Sequence, residues 1–202
     1  MPMEKQNNYR VILLAEESFA QGVALGVWVQ RPLTAWHYLL PGMFVWDILK
    51  RRTAIQQYRS LFLFPRQLAL DAALEMIRGK DREEVLSKAE IKVQGWLSVQ
   101  KVYSSRILRG HMEQVRVLLD HYSRILQAEG ESYSQLIRNT YGTRENLEGY
   151  LARLSAAETE VDQGLAEIQG GTAEAWDRLR AEQAQVAELR KKELDRIFPE
   201  EG

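Results

Sequence analysis

Histidines and paired carboxylates are the groups in this chain that could do acid–base or metal chemistry, and their spacing limits what they can do. The three histidines are His37, His111 and His121. On a single helix His111 and His121 would stand about 15 Å apart along the axis, too far to share an ion. Bundle di-iron sites take Glu-x-x-His motifs from two helices, and here Thr34, Leu108 and Leu118 occupy the positions three before each histidine. A histidine beside an apolar stripe is therefore expected to be a hydrogen-bonded core residue. Asp71 and Glu75 have the spacing of a carboxylate pair on one helix face. Arg78 is within reach of Glu75 and no histidine is near, so a solvated face is the expected reading.

No phosphate-binding glycine loop, dinucleotide fingerprint, H-E-x-x-H helix or G-x-S-x-G elbow occurs. Cysteine is absent, which removes thiolate nucleophiles, disulfides and cysteine metal sites. The chain is accordingly expected to work without catalysis, metal or cofactor. An enzyme would need a pocket that gathers polar groups such as Asp47, His111, Asp120 and His121.

Helices must position whatever these groups do, and the least ordinary stretch lies at residues 22–52, GVALGVWVQRPLTAWHYLLPGMFVWDILKRR. Trp28, Trp36 and Trp46 fall inside it, and it closes on Lys50, Arg51 and Arg52. A spanning helix needs about 20 consecutive apolar residues. Gln30, Arg31 and Pro32 divide this run, and Pro41-Gly42 favours a turn in its second half. A single straight span is not expected.

Two placements fit such a segment. In the first, residues 33–59 form a helical hairpin at a bilayer surface. Trp36, Tyr38, Leu39, Leu40, Met43, Phe44 and Trp46 would then sit at the membrane interface, with Lys50, Arg51, Arg52 and Arg59 on anionic headgroups. In the second, residues 23–49 are the buried centre of a soluble oligomer. Charge favours the first: between Arg31 and Arg66 six cations face Asp47 alone, whereas from Gly142 onward acids outnumber bases fourteen to eight. The short apolar run at residues 11–15 does not make a signal peptide. A cytoplasmic protein is expected, with the inner face of the membrane as the surface available to it. Nucleic acid is not an expected partner of a slightly acidic chain without a recognisable binding module.

Periodicity gives the remaining elements. Residues 9–30 read as a helix on which Ser18, Gly22 and Gly26 form a small-residue stripe, suited to close packing by the hairpin that follows. Residues 43–60 read as a second helix, and Leu61 to Pro65 as an apolar connector ending it. An amphipathic helix from Arg66 is closed by Gly79. Asp81 with Glu84 has the form of a capping box and starts the longest pattern, expected as one helix from Arg82 to about Ala128. Leu147, Leu151, Leu154, Glu158, Val161, Leu165 and Ile168 make a heptad-like seam with one polar lapse. Gly170-Gly171 is either a hairpin or a kink.

The expected fold is thus all-α: an elongated, coiled-coil-like helical bundle with an apolar N-terminal hairpin. It divides into a basic head, 1–65, and long amphipathic helices, 66–202. The expected role is that of a membrane-associated scaffold, forming homo-oligomers or pairing with helical proteins. The alternative is a soluble oligomeric adaptor.

Overall fold

The structure, a computed structural model, describes residues 3–29, 41–168 and 170–199, with backbone alone for some of them. All the regular elements described are helices: α1 (Met3–Val29), α2 (Pro41–Ile77), α3 (Arg82–Val99), α4 (Ser105–Ile125), α5 (Tyr133–Tyr141), α6 (Arg144–Ile168) and α7 (Ala173–Ile197). They pack as a bundle around α4. That helix is flanked by α2, α3 and α6, while α1 lies on α2 and is covered by α7.

Helix α4 is central because its apolar residues go nearly all the way round. Ile107, Leu108, Met112, Val115, Val117, Leu118, Leu119, Tyr122 and Ile125 are all buried. From α3 the stripe Leu86, Ala89, Val93 and Leu97 packs toward it. From α6 come Leu147, Leu154 and Val161.

The long pattern from Arg82 is two helices rather than one. The break falls at neither Gly95 nor Gly110 but at Lys101, which adopts a left-handed φ of 59°. Val102 N–H bonds Leu97 O at 3.1 Å and Lys101 N–H bonds Ser98 O at 3.1 Å, closing α3 with a Schellman turn. Ser104 then starts α4, its hydroxyl accepting from Ile107 N–H at 3.1 Å. The turn reverses the chain, so α3 folds back beside α4 instead of extending it.

Conversely, Leu61 to Pro65 is not a connector. Helix α2 runs through it, with Pro65 buried in its interior. Proline removes one N–H and opens the preceding carbonyls. One turn back, the Arg66 guanidinium donates to Phe62 O at 3.2 Å. Pro41 occupies the first position of the same helix, where its missing N–H costs nothing.

The small-residue stripe of α1 faces α7. A Cβ on Gly22 would stand 3.3 Å from Leu189 Cδ1, and one on Gly26 would run into the Gln185 amide. Ser18 is exposed. The glycine pair after α6 gives a hairpin: Gln183 on α7 bonds Asp162 on α6 at 3.1 Å, and Arg190 reaches Glu158 at 2.8 Å, the order an antiparallel return requires. Gly170 and Gly171 take φ of 84° and 60°, conformations that suit glycine.

Candidate functional site: a cavity with an acidic end

Between α2, α4, α6, α7 and the α3 turn lies a cavity of about 600 Å³, the size range of small-molecule sites. Leu61, Leu97, Val102, Leu165, Leu179 and Val186 give it apolar walls, and Trp96 contributes an aromatic one. Trp96 is held by stacking on Phe64, ring centres 4.6 Å apart, and by an edge contact with His111. The α3 turn places Gln100 and Val102 on the wall. A straight helix through that point would carry them away.

The polar end is built on Arg66, which is 3% exposed. Its Nε stands 3.1 Å from Glu16 and its Nη2 2.8 Å from Glu158, while its Cζ sits 3.9 Å over the Phe62 ring. Glu158 also holds Arg190, and Glu16 accepts from Tyr122 Oη at 2.8 Å. Desolvation works against the Arg66 charge, but Glu158 and Glu16 more than offset it, and its pKa rises. The polar lapse of the α6 seam is therefore an interior ion pair shared by two arginines.

Beyond this network two lining carboxylates have no cation paired to them among the described residues. Burial, and then the charge of Glu182, push the Asp162 carboxyl up to about 7, even though Gln183 donates to it. Burial likewise raises Glu182. Tyr58 Oη is buried facing the Glu182 carboxylate, outside strict hydrogen-bond geometry, and burial, followed by the Glu182 charge, raises its pKa. On the α4 side His111 Nδ1 is 3.3 Å from Gln114 Oε1, whereas its Nε2 is buried and unpartnered. Burial lowers His111 to about 4, so the ring is neutral at pH 7.

A carboxyl whose pKa is raised by folding stabilises the fold below its unfolded pKa near 4 and loses that contribution as pH rises through 7. Asp162→Asn is therefore expected to stabilise the chain at pH 8 by about 1–3 kcal/mol, after allowance for screening. The gain should shrink toward zero near pH 4, because the carboxyl is then protonated in both states. Urea unfolding at the two pH values measures it.

The residues singled out in the sequence fall in several places. His111 lines the cavity, but His121 does not: it is buried, stacked 4.1 Å from Tyr150, with Nδ1 2.7 Å from Tyr141 Oη. Asp120 is on the surface, paired with Arg82. Asp71 accepts from Tyr9 Oη at 2.6 Å, and Glu75 pairs with Lys80 rather than Arg78. His37, Trp36, Tyr38, Leu39 and Leu40 lie outside the described residues. Met43, Phe44, Trp46, Asp47, Lys50, Arg51 and Arg52 belong to α2, described there by backbone alone. Arg59 stands 3.4 Å from Glu17 in a solvent-facing pair, an arrangement of small energy.

Asp162, Glu182 and Tyr58 were not picked out by sequence reasoning. One signal pointed their way, the glutamate at a seam position of α6, since an interior charge demands partners. Among the described residues no cluster of three metal-ligating side chains forms, and no helix is long and apolar enough to cross a membrane. No family model matches the chain, and no curated protein or solved structure matches it either.

Proposed function

We propose that this chain is a binding protein without catalysis, whose bundle holds a small, largely apolar molecule in the central cavity. The cavity itself carries the reading. It opens partly to solvent, so a molecule from solution can reach it. An apolar space of about 600 Å³ with polar groups converging at one end has the build of a site.

The test is stoichiometric binding of a neutral apolar dye, Nile red, followed by its emission. Wild type is expected to take up one dye per chain with a blue shift. Leu179→Trp and Ser155→Trp, which fill the cavity from α7 and α6, are expected to bind at least about tenfold more weakly while keeping their helicity and melting cooperatively. Uptake that survives both substitutions, or no uptake by wild type, would overturn the reading.

A second contact, with an anionic membrane surface through residues 33–59, is supported by the aromatic and basic sequence of that segment and by the continuity of α2. Residues 41–52 extend the same helix that lines the cavity, so at about 1.5 Å per residue the apolar half lies within roughly 20–25 Å of it. On this reading the bundle sits at the inner face of the membrane as an elongated, coiled-coil-like scaffold with an apolar hairpin, oligomerising or pairing with a helical partner. The soluble adaptor is the competing form. Flotation with anionic liposomes separates them: wild type is expected to float at low salt and Lys50→Gln/Arg51→Gln/Arg52→Gln to stay behind. A wild type that never floats removes the membrane contact and leaves the cavity untouched.

A further inference from the structure

We infer that the cavity takes an organic cation, a protonated amine carried on an apolar or aromatic body, with Asp162 and Glu182 receiving the charged group. The inference rests on the binding role proposed for the cavity and names the ligand class.

Charge counting on the cavity wall is the first argument. Two guanidinium groups, Arg66 and Arg190, face three carboxylates, Glu158, Asp162 and Glu182. Both arginines are already committed. Arg66 is held between Glu16 and Glu158, and Arg190 is on Glu158. Among the described residues that leaves Asp162 and Glu182 as the pair without a bound cation. They come from facing helices of one hairpin, α6 and α7, and both line the same space. A pair of desolvated carboxylates without a counterion is costly. Either protons or a cation from outside must neutralise it.

A further polar group on the wall, outside the acidic pair, is His111. His111 is 6% exposed, lines the same cavity, and has a ring nitrogen with no partner. Buried polar groups are left unpaired only rarely, and the Tyr58 hydroxyl on the same wall faces the Glu182 carboxylate. With Nδ1–H donating to Gln114 Oε1, the neutral His111 ring presents Nε2 as an acceptor for an ammonium N–H, and the phenol oxygen can accept in the same way. The apolar walls and the Trp96 ring then meet the body of the molecule. An anion would meet the opposite arrangement, since no guanidinium on the wall lacks a carboxylate.

Binding of such a cation must displace protons, which sets its pH dependence. The charged and titratable groups that line the cavity with the pair are Tyr58 and Arg66 from α2, His111 from α4, Glu158 from α6 and Arg190 from α7. His111 stays neutral and Arg66 stays charged near neutrality. The protons released on binding therefore come from Asp162 and Glu182, and affinity for a cation falls as pH drops below about 7.

The experiment is isothermal titration calorimetry of the full chain with three probes of one shape: 4-phenylbutylamine, 4-phenylbutanol and 4-phenylbutyrate. The amine stays protonated throughout the range used. At about pH 8.5 it is expected to bind at least about tenfold tighter than the alcohol, with the acid weaker still. At about pH 6 the preference should contract, and buffers of different ionisation enthalpy should show proton release. Asp162→Asn/Glu182→Gln should erase the preference while retaining the alcohol, which separates lost recognition from a lost fold. Equal binding of amine and alcohol, or tighter binding of the acid, would overturn the cation while leaving the cavity a binding site. If none of the three binds, the cation is overturned, and with it the binding role unless Nile red is still taken up.

Discussion

Arg66→Met is expected to destabilise the bundle by about 3–5 kcal/mol, the cost of stranding buried charge rather than of losing one contact. The side chain is fully desolvated and touches Glu16, Glu158, the Phe62 ring and the Phe62 carbonyl. Without it Glu158 keeps Arg190, but Glu16 keeps only the Tyr122 hydroxyl, and Glu193, itself raised to about 7 by burial and by Glu16, crowds it further. The Phe62 carbonyl also loses a side-chain donor. Two features distinguish this account from simple loss of packing. Adding Glu16→Gln should recover a good part of the loss, since it removes the stranded charge. The loss should also be smaller at about pH 5 than at pH 8, because the freed carboxylate takes up a proton as pH falls. Urea unfolding of the single and double variants at both pH values is the measurement. A loss that is independent of pH and unaffected by Glu16→Gln would mean that packing alone had been removed.

Gly110→Leu is expected to cost about 3 kcal/mol or more, at the upper end for overpacking, because the neighbour it meets is backbone. A Cβ on Gly110 would stand 3.0 Å from Val161 Cγ2 and 3.2 Å from the Val161 nitrogen. From the other side a Cβ on Gly164 would stand 2.8 Å from Ile107 Cγ1. The crossing of α4 and α6 is thus set by a glycine on each helix, and a larger residue there must push the two apart. Gly149 is the internal control. It lies on α6 with nothing within 4 Å of a Cβ, so Gly149→Ala should stabilise by about 0.5–1 kcal/mol. Thermal melts of the two variants should move in opposite directions. A Gly110→Leu chain that melts like wild type would show that the helices separate without cost.

These examples also mark what could be read before the fold was known. Local signals were legible wherever one residue does one job. Asp81 caps α3, accepting from Glu83 N–H at 2.8 Å, and Gly79 takes the positive φ that closes α2. The period of three and four in α4 and α6 placed their buried faces, because burial and helical geometry act on the same residues. Failures came where a neighbour in space overrides a local preference. Pro65 should stop a helix, yet α2 runs through it with the proline buried against the core. Lys101 should not occupy a left-handed position, at a cost of about 1 kcal/mol or more, yet the burial of Leu97 against α4 holds it there. Nothing local distinguishes Asp162, facing the cavity, from Glu160, facing water near Arg106. The difference lies in which helix arrives opposite, and that is decided by the hairpin at Gly170-Gly171.

That hairpin gives the cavity a wall of uneven strength. The described buried side chains of α7 are Val186, Leu194 and Ile197, all in its second half. Leu179, Glu182 and Gln183, which border the cavity, lie between those anchors and two glycines in backbone conformations of their own. The first half of α7 has no fully buried apolar side chain among its described residues, so it is the part of the wall that opens at least cost. Occupancy then has a signature that needs no knowledge of the occupant. Amide exchange along that half-helix would slow whenever the cavity is filled, which turns α7 into a reporter for screening cell extracts and chemical libraries.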